Sequence, residues 1–565
     1  MRARRPARVG RRWLAASVVI AMLVAAPVGV VASSVFRDSG GAWAHLAETR
    51  LVDYVVNTLT LAVSVGAIAG VVGVGAAWLV AMHRFPGRRA LSWALLLPAA
   101  TPGYIAAYAI TDLLQFSGPV QTALRAATGL EGGSYWFPNI RSMPGAIVIL
   151  GLSLYPYVYF ASRVAFASLP GSAIEASRTL GRGTLATFFR VALPMSRPML
   201  AAGIALVVME TIGDFGTVDY FAVDTLATGV YRTWFGLDSQ TAALQLASVA
   251  LGILALVYVV EVASRRRVAV HATTSRVTPP APTRLSPVRG ALACAACLAP
   301  VLIGFALPTS RLAYLAIRHG DQRALELFSG YAINTFTLAA ISGAVAAALA
   351  LVVVFTHRLR RTGATRVVMD VCRLGYALPG PLVAIGVLTA LAWLDHGIND
   401  AWTAFGEGGG PGLLLTGSVF AVLVGYQTRF LSVAVSFLES AMTRVNVRLD
   451  DAARMLRGTP SRVLMTVHVP ALRGAMVAAG LLVLVDVAKE LPATLMLRPF
   501  NFETLAVRVY HLASDERLHE ASTGALAIVV IGIVPVILMS RYLDPPERLR
   551  RAPGAAPEVV TVDGG

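Results

Sequence analysis

Four acidic residues lie inside long apolar stretches of the sequence, where charged side chains are rare. Glu210 and Asp214 belong to the segment VVMETIGDFGTVDYF, and Asp486 and Glu490 belong to LVDVAKELPATLML. Each acid of the first pair is followed 276 positions later by an acid of the second pair. Ionisable residues within apolar spans usually line a path for ions or form an internal network of charges. The four acids are therefore a candidate translocation path. The alternative is a structural salt bridge, because Lys489 stands three residues after Asp486.

Two polar segments interrupt the apolar stretches and resemble each other. EASRTLGRGTLATFFRVALPMSRP begins at Glu175, and DAARMLRGTPSRVLMTVHVPALRG begins at Asp451, again 276 positions later. In the first copy we predict a short helix with Glu175 in its first turn, a bend at Gly181, and a second helix that ends at Pro194. One face of the second helix would carry Leu185, Phe188, Phe189 and Ala192.

A short helix with an apolar face suits docking into the groove of a partner protein. The alternative is a helix that lies flat on the membrane surface. The presence of two copies at equivalent places favours docking, with two identical partners.

The elements that hold these residues belong to a polytopic membrane protein. Hydrophobic residues make up 56% of the chain, charged residues 14%, and the mean hydropathy is +0.67. Soluble domains carry about 25% charged residues. Many apolar runs are long enough to cross a bilayer, and helices are the default there because they satisfy their own backbone. The fold class we predict is therefore all-α and polytopic.

The twelve predicted helices lie near 13–36, 54–82, 91–114, 144–167, 199–220, 242–263, 290–308, 332–356, 374–394, 413–437, 472–492 and 521–541. A helix that begins near 199 would place Glu210 about 16 Å along its axis, near the middle of the membrane.

The basic residues of the chain follow the pattern of a membrane protein. The formal charge is +17, but the arginines stand in short blocks in alternate loops between the apolar runs. This alternation is the positive-inside pattern, and it places both termini in the cytoplasm. Nucleic acid is therefore not expected as a partner, whereas membrane lipid is. The apolar run after the basic N-terminus is longer than the core of a signal peptide, so we interpret it as an uncleaved helix.

The chain is a tandem duplication. NTLTLAVSVGAIA at Asn57 matches NTFTLAAISGAVA at Asn334, and the Pro-Gly pair at Pro102 recurs at Pro379, both at a shift of 277. Equal order and spacing indicate two repeats, and an even number of spans in each makes them parallel. The predicted divisions are a cytoplasmic N-terminus with the first helix (1–53), a first membrane domain (54–263), a cytoplasmic linker (264–290), a peripheral helix with its outer loop (291–330), a second membrane domain (331–541) and a cytoplasmic tail (542–565).

The duplicated loops resemble the EAA loop of ABC importer permeases of the type I, MetI-like family. The first copy carries Glu175-Ala176, then Gly181 and Pro194. The second copy carries Asp451-Ala452, then Gly458 and Pro470, and departs from the family pattern at the acid and in the position of the glycine. The resemblance implies a fused double permease whose loops form helices seated in two copies of a cytoplasmic ATP-binding subunit. It also implies a periplasmic substrate-binding protein and a place in the bacterial inner membrane.

The chain has no means of hydrolysing ATP itself. Its only lysine, Lys489, lies in VAKELP, so it lacks the lysine of a phosphate-binding loop. We therefore expect a transport subunit that binds no cofactor and is not an enzyme, with ATP hydrolysed by partner subunits. The pair Cys294 and Cys297 has no second pair or nearby histidine, so we expect no metal site.

Two segments resemble the ferric-iron branch of these permeases: DFGTVDYFAVDTLATGVYRTWF from Asp214 and KELPATLMLRPFNFETLAVRVY from Lys489. The resemblance implies a periplasmic Fe³⁺-binding protein as donor. Thiamine, polyamine, phosphonate and sulfate importers share the architecture and remain alternatives, although a path lined by acids suits a cation better than an anion. A twelve-helix secondary transporter and a membrane scaffold without transport activity are alternatives of other classes.

Overall fold

The computed structural model describes residues 9–543, apart from positions 133, 267–281, 320–321, 376–377, 405, 407–409, 447, 451–454 and 456–458. Nearly all of the described chain is helical. The α-helices of the first half are α1 (Val9–Ser33), α2 (Ala42–Thr49), α3 (Leu51–Met82), α4 (Arg88–Ala94), α5 (Gly103–Leu114), α6 (Pro119–Thr128), α7 (Met143–Ala167), α8 (Gly171–Thr179), α9 (Thr184–Thr187), α10 (Leu193–Gly213), α11 (Gly216–Tyr220), α12 (Leu226–Gly236) and α13 (Gln240–Arg266).

The second half continues the series at α14. Its helices are α14 (Pro287–Val301), α15 (Leu307–His319), α16 (Gln322–Leu359), α17 (Gly363–Leu374), α18 (Gly380–Ala404), α19 (Val419–Thr443), α20 (Pro460–Val463), α21 (Val469–Ala488), α22 (Pro492–Leu497), α23 (Leu505–Ser514) and α24 (Leu518–Leu543). Short 3₁₀ turns cover Ser34–Phe36 and Leu97–Ala100, and π turns cover Phe188–Ala192, Leu302–Ala306 and Leu464–His468. Two two-residue strands, β1 (His83–Arg84) and β2 (Thr283–Arg284), pair in parallel.

The predicted all-α polytopic class is confirmed. Among the described residues, eleven helices are long and apolar enough to cross a membrane, or twelve if one bent pair counts as a span. The prediction of one continuous helix over 91–114 is wrong. The chain there breaks between Arg88–Ala100 and Gly103–Thr128, which meet at 93°. Pro98 and Pro102 cause the break, because a proline removes a backbone donor and pushes the preceding residue into an extended conformation.

The two halves repeat details of hydrogen bonding. The Asn57 side chain donates to the Asp224 carbonyl at 2.9 Å, and the equivalent Asn334 donates to the Glu503 carbonyl at 3.1 Å. The threonines that follow these asparagines accept from the backbone of Leu226 and Leu505, at 2.9 and 2.8 Å. The π turn at Phe188–Ala192 also recurs at Leu464–His468, 276 positions later. These shared contacts fix α12 and α23 in the same way in both repeats.

The first helix of each half packs against the other half. α1 contacts α16, α17 and α18, and the Ser17 hydroxyl donates to Thr356 across this contact at 2.8 Å. Gly386 lies against the backbone of Pro27, where a Cβ atom would come within 2.6 Å of the carbonyl oxygen. In the same manner α14 contacts α3 and α4, and Gly304 lies against the backbone of Leu152. This exchange ties the halves together around the helices that carry the acids.

Candidate functional site

Asp214 and Glu490 each begin a short helix directly after a long one. Asp214 ends α10, and its carboxylate accepts from the backbone of Thr217 and Val218 at 3.0 and 3.2 Å. Glu490 follows α21, and its Oε1 accepts from the Ala493 backbone at 3.1 Å. Both acids therefore satisfy backbone donors at the N-terminus of a helix, α11 in the first half and α22 in the second. Their equivalent positions in the sequence correspond to equivalent structural roles.

Arg429 joins the two halves through their acids. It lies in the middle of α19, is 10% exposed, and contacts Glu490 Oε2 at 2.7 Å through Nη1. Its Nη2 lies 3.5 Å from Glu210 Oε2 in the first half. Arg429 was not among the residues predicted from the sequence, which were acids alone. The signal was present, since this arginine is the one charged residue in the apolar run VFAVLVGYQTRFLSVAVSFL.

Asp486 and Lys489 form the ion pair that was the alternative interpretation, with Nζ 3.0 Å from Oδ1. The structure thus brings Glu210, Asp486 and Glu490 into one charged cluster with two cations, and Asp214 lines the same cavity. Four carboxylates face two cationic side chains, which leaves an excess of acid when all are ionised. The structural ion pair is therefore present, and the same acids line a polar cavity.

The predicted bounds of the helix that carries Glu210, near 199–220, are wrong. The continuous helical segment begins at Thr184 and ends at Gly213, so Glu210 lies in its last turn. The helix starts earlier than predicted because the π turn carries the helix past Pro194 without a break.

The charged cluster lines a cavity of about 130 Å³ between the halves. A larger cleft of about 350 Å³ shares Asp486, Lys489 and Tyr157 with this cavity and continues along Leu206 and Ser436. From the charged cluster, the cleft extends towards the N-terminal end of α10 and the C-terminal end of α19. It therefore leads towards the predicted docking loops, which are the two polar segments that begin at Glu175 and Asp451.

Further contacts between the halves lie outside the charged cluster. The Tyr510 hydroxyl donates to Asp219 at 2.7 Å, and Arg141 lies 3.2 Å from Glu516. An apolar cluster that includes Tyr108, Phe215 and Leu491 fills the space between them. These contacts join the two halves at residues that follow the acids along the chain or lie before α7.

The first docking loop contains the predicted bend. α8 ends in a Schellman motif, in which the Arg182 and Gly181 amides donate to Ser177 and Arg178 at 3.2 and 2.9 Å. Gly181 has φ +75°, a conformation that favours glycine. Glu175 and Ala176 are exposed. The prediction that Glu175 lies in the first turn is wrong, because α8 begins four residues earlier at Gly171.

The second segment of this loop differs from the prediction. Pro194 does not end a helix; it stands at the junction between a π turn and α10, where the missing proline donor is tolerated. The predicted apolar face is divided: Leu185 and Phe189 are 73% and 60% exposed, whereas Ala192 is buried. The exposed residues remain available for a partner.

The second docking loop is described only in part. Asp451, Ala452 and Gly458 lie outside the described residues, and Pro470 follows the second π turn as Pro194 follows the first. Met465 stands at the position equivalent to Phe189 and is 63% exposed. Each half therefore presents one large apolar side chain at the same place.

Among the described residues, no group of three or more histidine, cysteine, aspartate or glutamate side chains could hold a metal ion. The acids of the cluster instead bind arginine, lysine and backbone amides. The cavity can therefore attract a cation, but it does not offer a ready-made set of tight metal ligands.

Comparison with known proteins defines the class. Residues 69–269 match the family described as binding-protein-dependent transport system inner membrane component. Residues 69–269 are therefore similar to the inner membrane components of binding-protein-dependent transport systems.

Similarity over most of the chain is found with the Fe(3+)-transport system permease protein FbpB 2 of Haemophilus influenzae. The two are 24% identical over 504 residues, or 88% of this chain and 91% of that protein. The sulfate transport system permease protein CysT of Salmonella typhimurium is 29% identical over 180 residues, 32% of this chain and 62% of CysT. The molybdenum transport system permease protein ModB of Haemophilus influenzae is 26% identical over 188 residues, 32% of this chain and 79% of ModB.

Amide substitutions should separate the role of the acids in transport from their role in stabilising the fold. Glu210→Gln is expected to leave folding and ATP hydrolysis by the complex largely intact but to lower uptake, because Glu210 makes the longer contact to Arg429. Glu490→Gln should lower uptake and also stability, because Glu490 is 6% exposed and pairs closely with Arg429. Transport, ATP hydrolysis and thermal unfolding measured on the same preparations check this. Unchanged uptake in both variants would refute the path.

Proposed function

We propose that this chain is the permease subunit of an ABC importer that moves ferric iron from a periplasmic binding protein into the cytoplasm. Two copies of a cytoplasmic ATP-binding subunit would dock on the loops at Glu175 and Asp451 and hydrolyse ATP. The chain would lie in the bacterial inner membrane with both termini in the cytoplasm.

The observation that carries the proposal is the cavity between the halves. Its wall combines carboxylates from both repeats with only two cations, and its cleft leads towards the docking loops. An excess of negative charge favours a cation over sulfate, phosphonate or molybdate. The first π turn contacts α10, and the second π turn contacts α21. These contacts support a direct mechanical connection from each docking loop to the acids.

Iron in particular is supported by the length of the match to the ferric permease. A match over 504 residues includes both repeats, whereas the matches to CysT and ModB cover about a third of this chain. The fused double arrangement is thus shared with the iron relative. Thiamine, polyamine, phosphonate and sulfate remain the alternative cargoes, and a secondary transporter the alternative mechanism.

Deletion of the encoding gene should slow growth under iron limitation, and supplying the chain should restore it. Matched cultures limited for thiamine, polyamine or sulfate are the controls, and they should grow normally. Co-purification of the tagged chain with an ATP-binding subunit tests the mechanism in the same strain. A growth defect only under one of the control conditions would refute iron as the cargo. Absence of an ATP-binding subunit from the purified complex would refute the ABC mechanism.

A further inference from the structure

The two halves contribute unequally to the charged cluster. The start of α7 at Met143 corresponds to the start of α19 at Val419, so Arg429 corresponds to Ser153 at the same shift of 276. Lys489 corresponds to Gly213 by the shift that relates the acids. Both cations of the cluster therefore come from the second half. The first half supplies Glu210 and Asp214 with no cation at the equivalent positions.

The first half supplies polar groups in place of the cations. Thr101, Tyr104 and Ser153 all line the 130 Å³ cavity and are 2%, 5% and 3% exposed. Within the described part of the chain, their three hydroxyl oxygens have no hydrogen-bond partner. A buried hydroxyl that stays unpaired is costly, so a ligand or water is expected to satisfy it.

The second half has no such hydroxyls at the equivalent positions. Leu378 and Pro381 correspond to Thr101 and Tyr104 at the shift of 277 that relates the Pro-Gly pairs, and Arg429 corresponds to Ser153. The orphan hydroxyls are thus specific to one side of the cavity. They lie on the side that contributes two acids but no cation of its own to the cluster.

We propose that the first half alone forms one transient binding site for a partly hydrated multivalent cation, made by Glu210, Asp214 and the hydroxyls of Thr101, Tyr104 and Ser153. The bound cation takes the place that the Arg429 guanidinium takes beside Glu490 in the second half. This inference deepens the proposed function and rests on it for the direction of transport only.

The chemistry of the site explains why the cation keeps part of its water. Carboxylate and hydroxyl oxygens suit hard cations. Asp214 already accepts two backbone bonds and the Thr217 hydroxyl at 3.0 Å, which leaves it few free lone pairs. The cavity has room for several water molecules beside an ion. Binding of this kind is weak, as release into the cleft requires.

Substitution of Ser153 by arginine copies the second-half residue into the first half and tests the site. The probe is Tb³⁺ alone, whose luminescence is sensitised by nearby tyrosines such as Tyr104, added to the complete complex in lipid nanodiscs. Ser153→Arg should abolish the saturable emission seen with the unmodified complex, and Glu210→Gln should weaken it. Ser310→Arg adds the same charge to an exposed serine of α15 and serves as the matched control.

A milder variant keeps the test valid where the arginine prevents folding. Ser153→Ala removes one oxygen and should weaken Tb³⁺ binding roughly tenfold. Emission that is the same in Ser153→Ala, Glu210→Gln and the unmodified complex would overturn the proposal. Because the measurement needs neither donor protein nor iron, retained Tb³⁺ binding with no donor-dependent iron uptake would refute the iron assignment and leave the site standing.

Discussion

Arg429→Met should destabilise the folded chain by about 3–5 kcal/mol, because it leaves Glu490 and Glu210 buried without their cation. Methionine retains the length and much of the apolar contact of arginine, so the change removes mainly the charge. Thermal unfolding of the detergent-purified protein, followed by exposure of buried cysteines to a thiol dye, measures the effect. Cys297 and Cys372 are buried and suit this assay.

A second substitution distinguishes charge imbalance from loss of packing. Arg429→Met combined with Glu490→Gln removes the pair as a unit and should recover a large part of the lost stability. Lys489→Met is the matched control, because its partner Asp486 is 18% exposed and retains more solvent, so the loss should be smaller. An unfolding temperature of Arg429→Met equal to that of the original chain would show that Arg429 does not balance these acids.

The sequence predicted well which acids lie within the apolar runs and which of them are equivalent in the two repeats. It predicted less well the cationic side chains that contact these acids. A shift of 276 is visible in the letters and relates Glu210 to Asp486 without any structure. Arg429 breaks the repeat, since its equivalent is Ser153, so the repeat gives no signal for it. The contact from Arg429 to Glu210 joins residues 219 positions apart, so it depends on how the two halves meet.

Helix boundaries were predicted less well at the prolines. Pro194 was predicted to end a helix because a proline usually stops one. A five-residue π turn instead comes before this proline and the helix continues, and the same arrangement occurs at Pro470. The break at Pro102 was missed although two prolines stand four positions apart, because the run from 91 to 114 is mostly apolar. Apolar periodicity reports burial, and it does not distinguish a straight span from a bent one.

The same limit applies to the docking loop. The bend at Gly181 was predictable because a left-handed residue at a helix end favours glycine. The exposure of Phe189 and burial of Ala192 were not, since the π turn rotates the residues after Thr187 relative to an ideal α-helix. Phe189 and Met465 are the exposed large side chains that stand at equivalent positions in the two halves.

Placing aspartate at both of these positions should abolish uptake. Phe189→Asp with Met465→Asp removes the apolar side chains that would enter grooves on the two ATP-binding subunits, and a desolvated carboxylate in each groove opposes binding. Uptake should fall to background, and the ATP-binding subunits should no longer co-purify, while the chain still inserts into the membrane. Glu175→Arg should act in the same direction with a smaller effect, because Glu175 is an exposed charge at the edge of the loop.

Leucine variants are the matched controls for the docking prediction. Phe189→Leu with Met465→Leu keeps an apolar side chain at each position and should retain most uptake and the bound ATP-binding subunits. The two single aspartate variants should each lose part of the activity, because each half contributes its own docking surface. Normal co-purification of ATP-binding subunits with the double aspartate variant would refute docking at these residues. Loss of membrane insertion in that variant, with the leucine pair unaffected, would instead support the alternative in which this segment lies on the lipid surface.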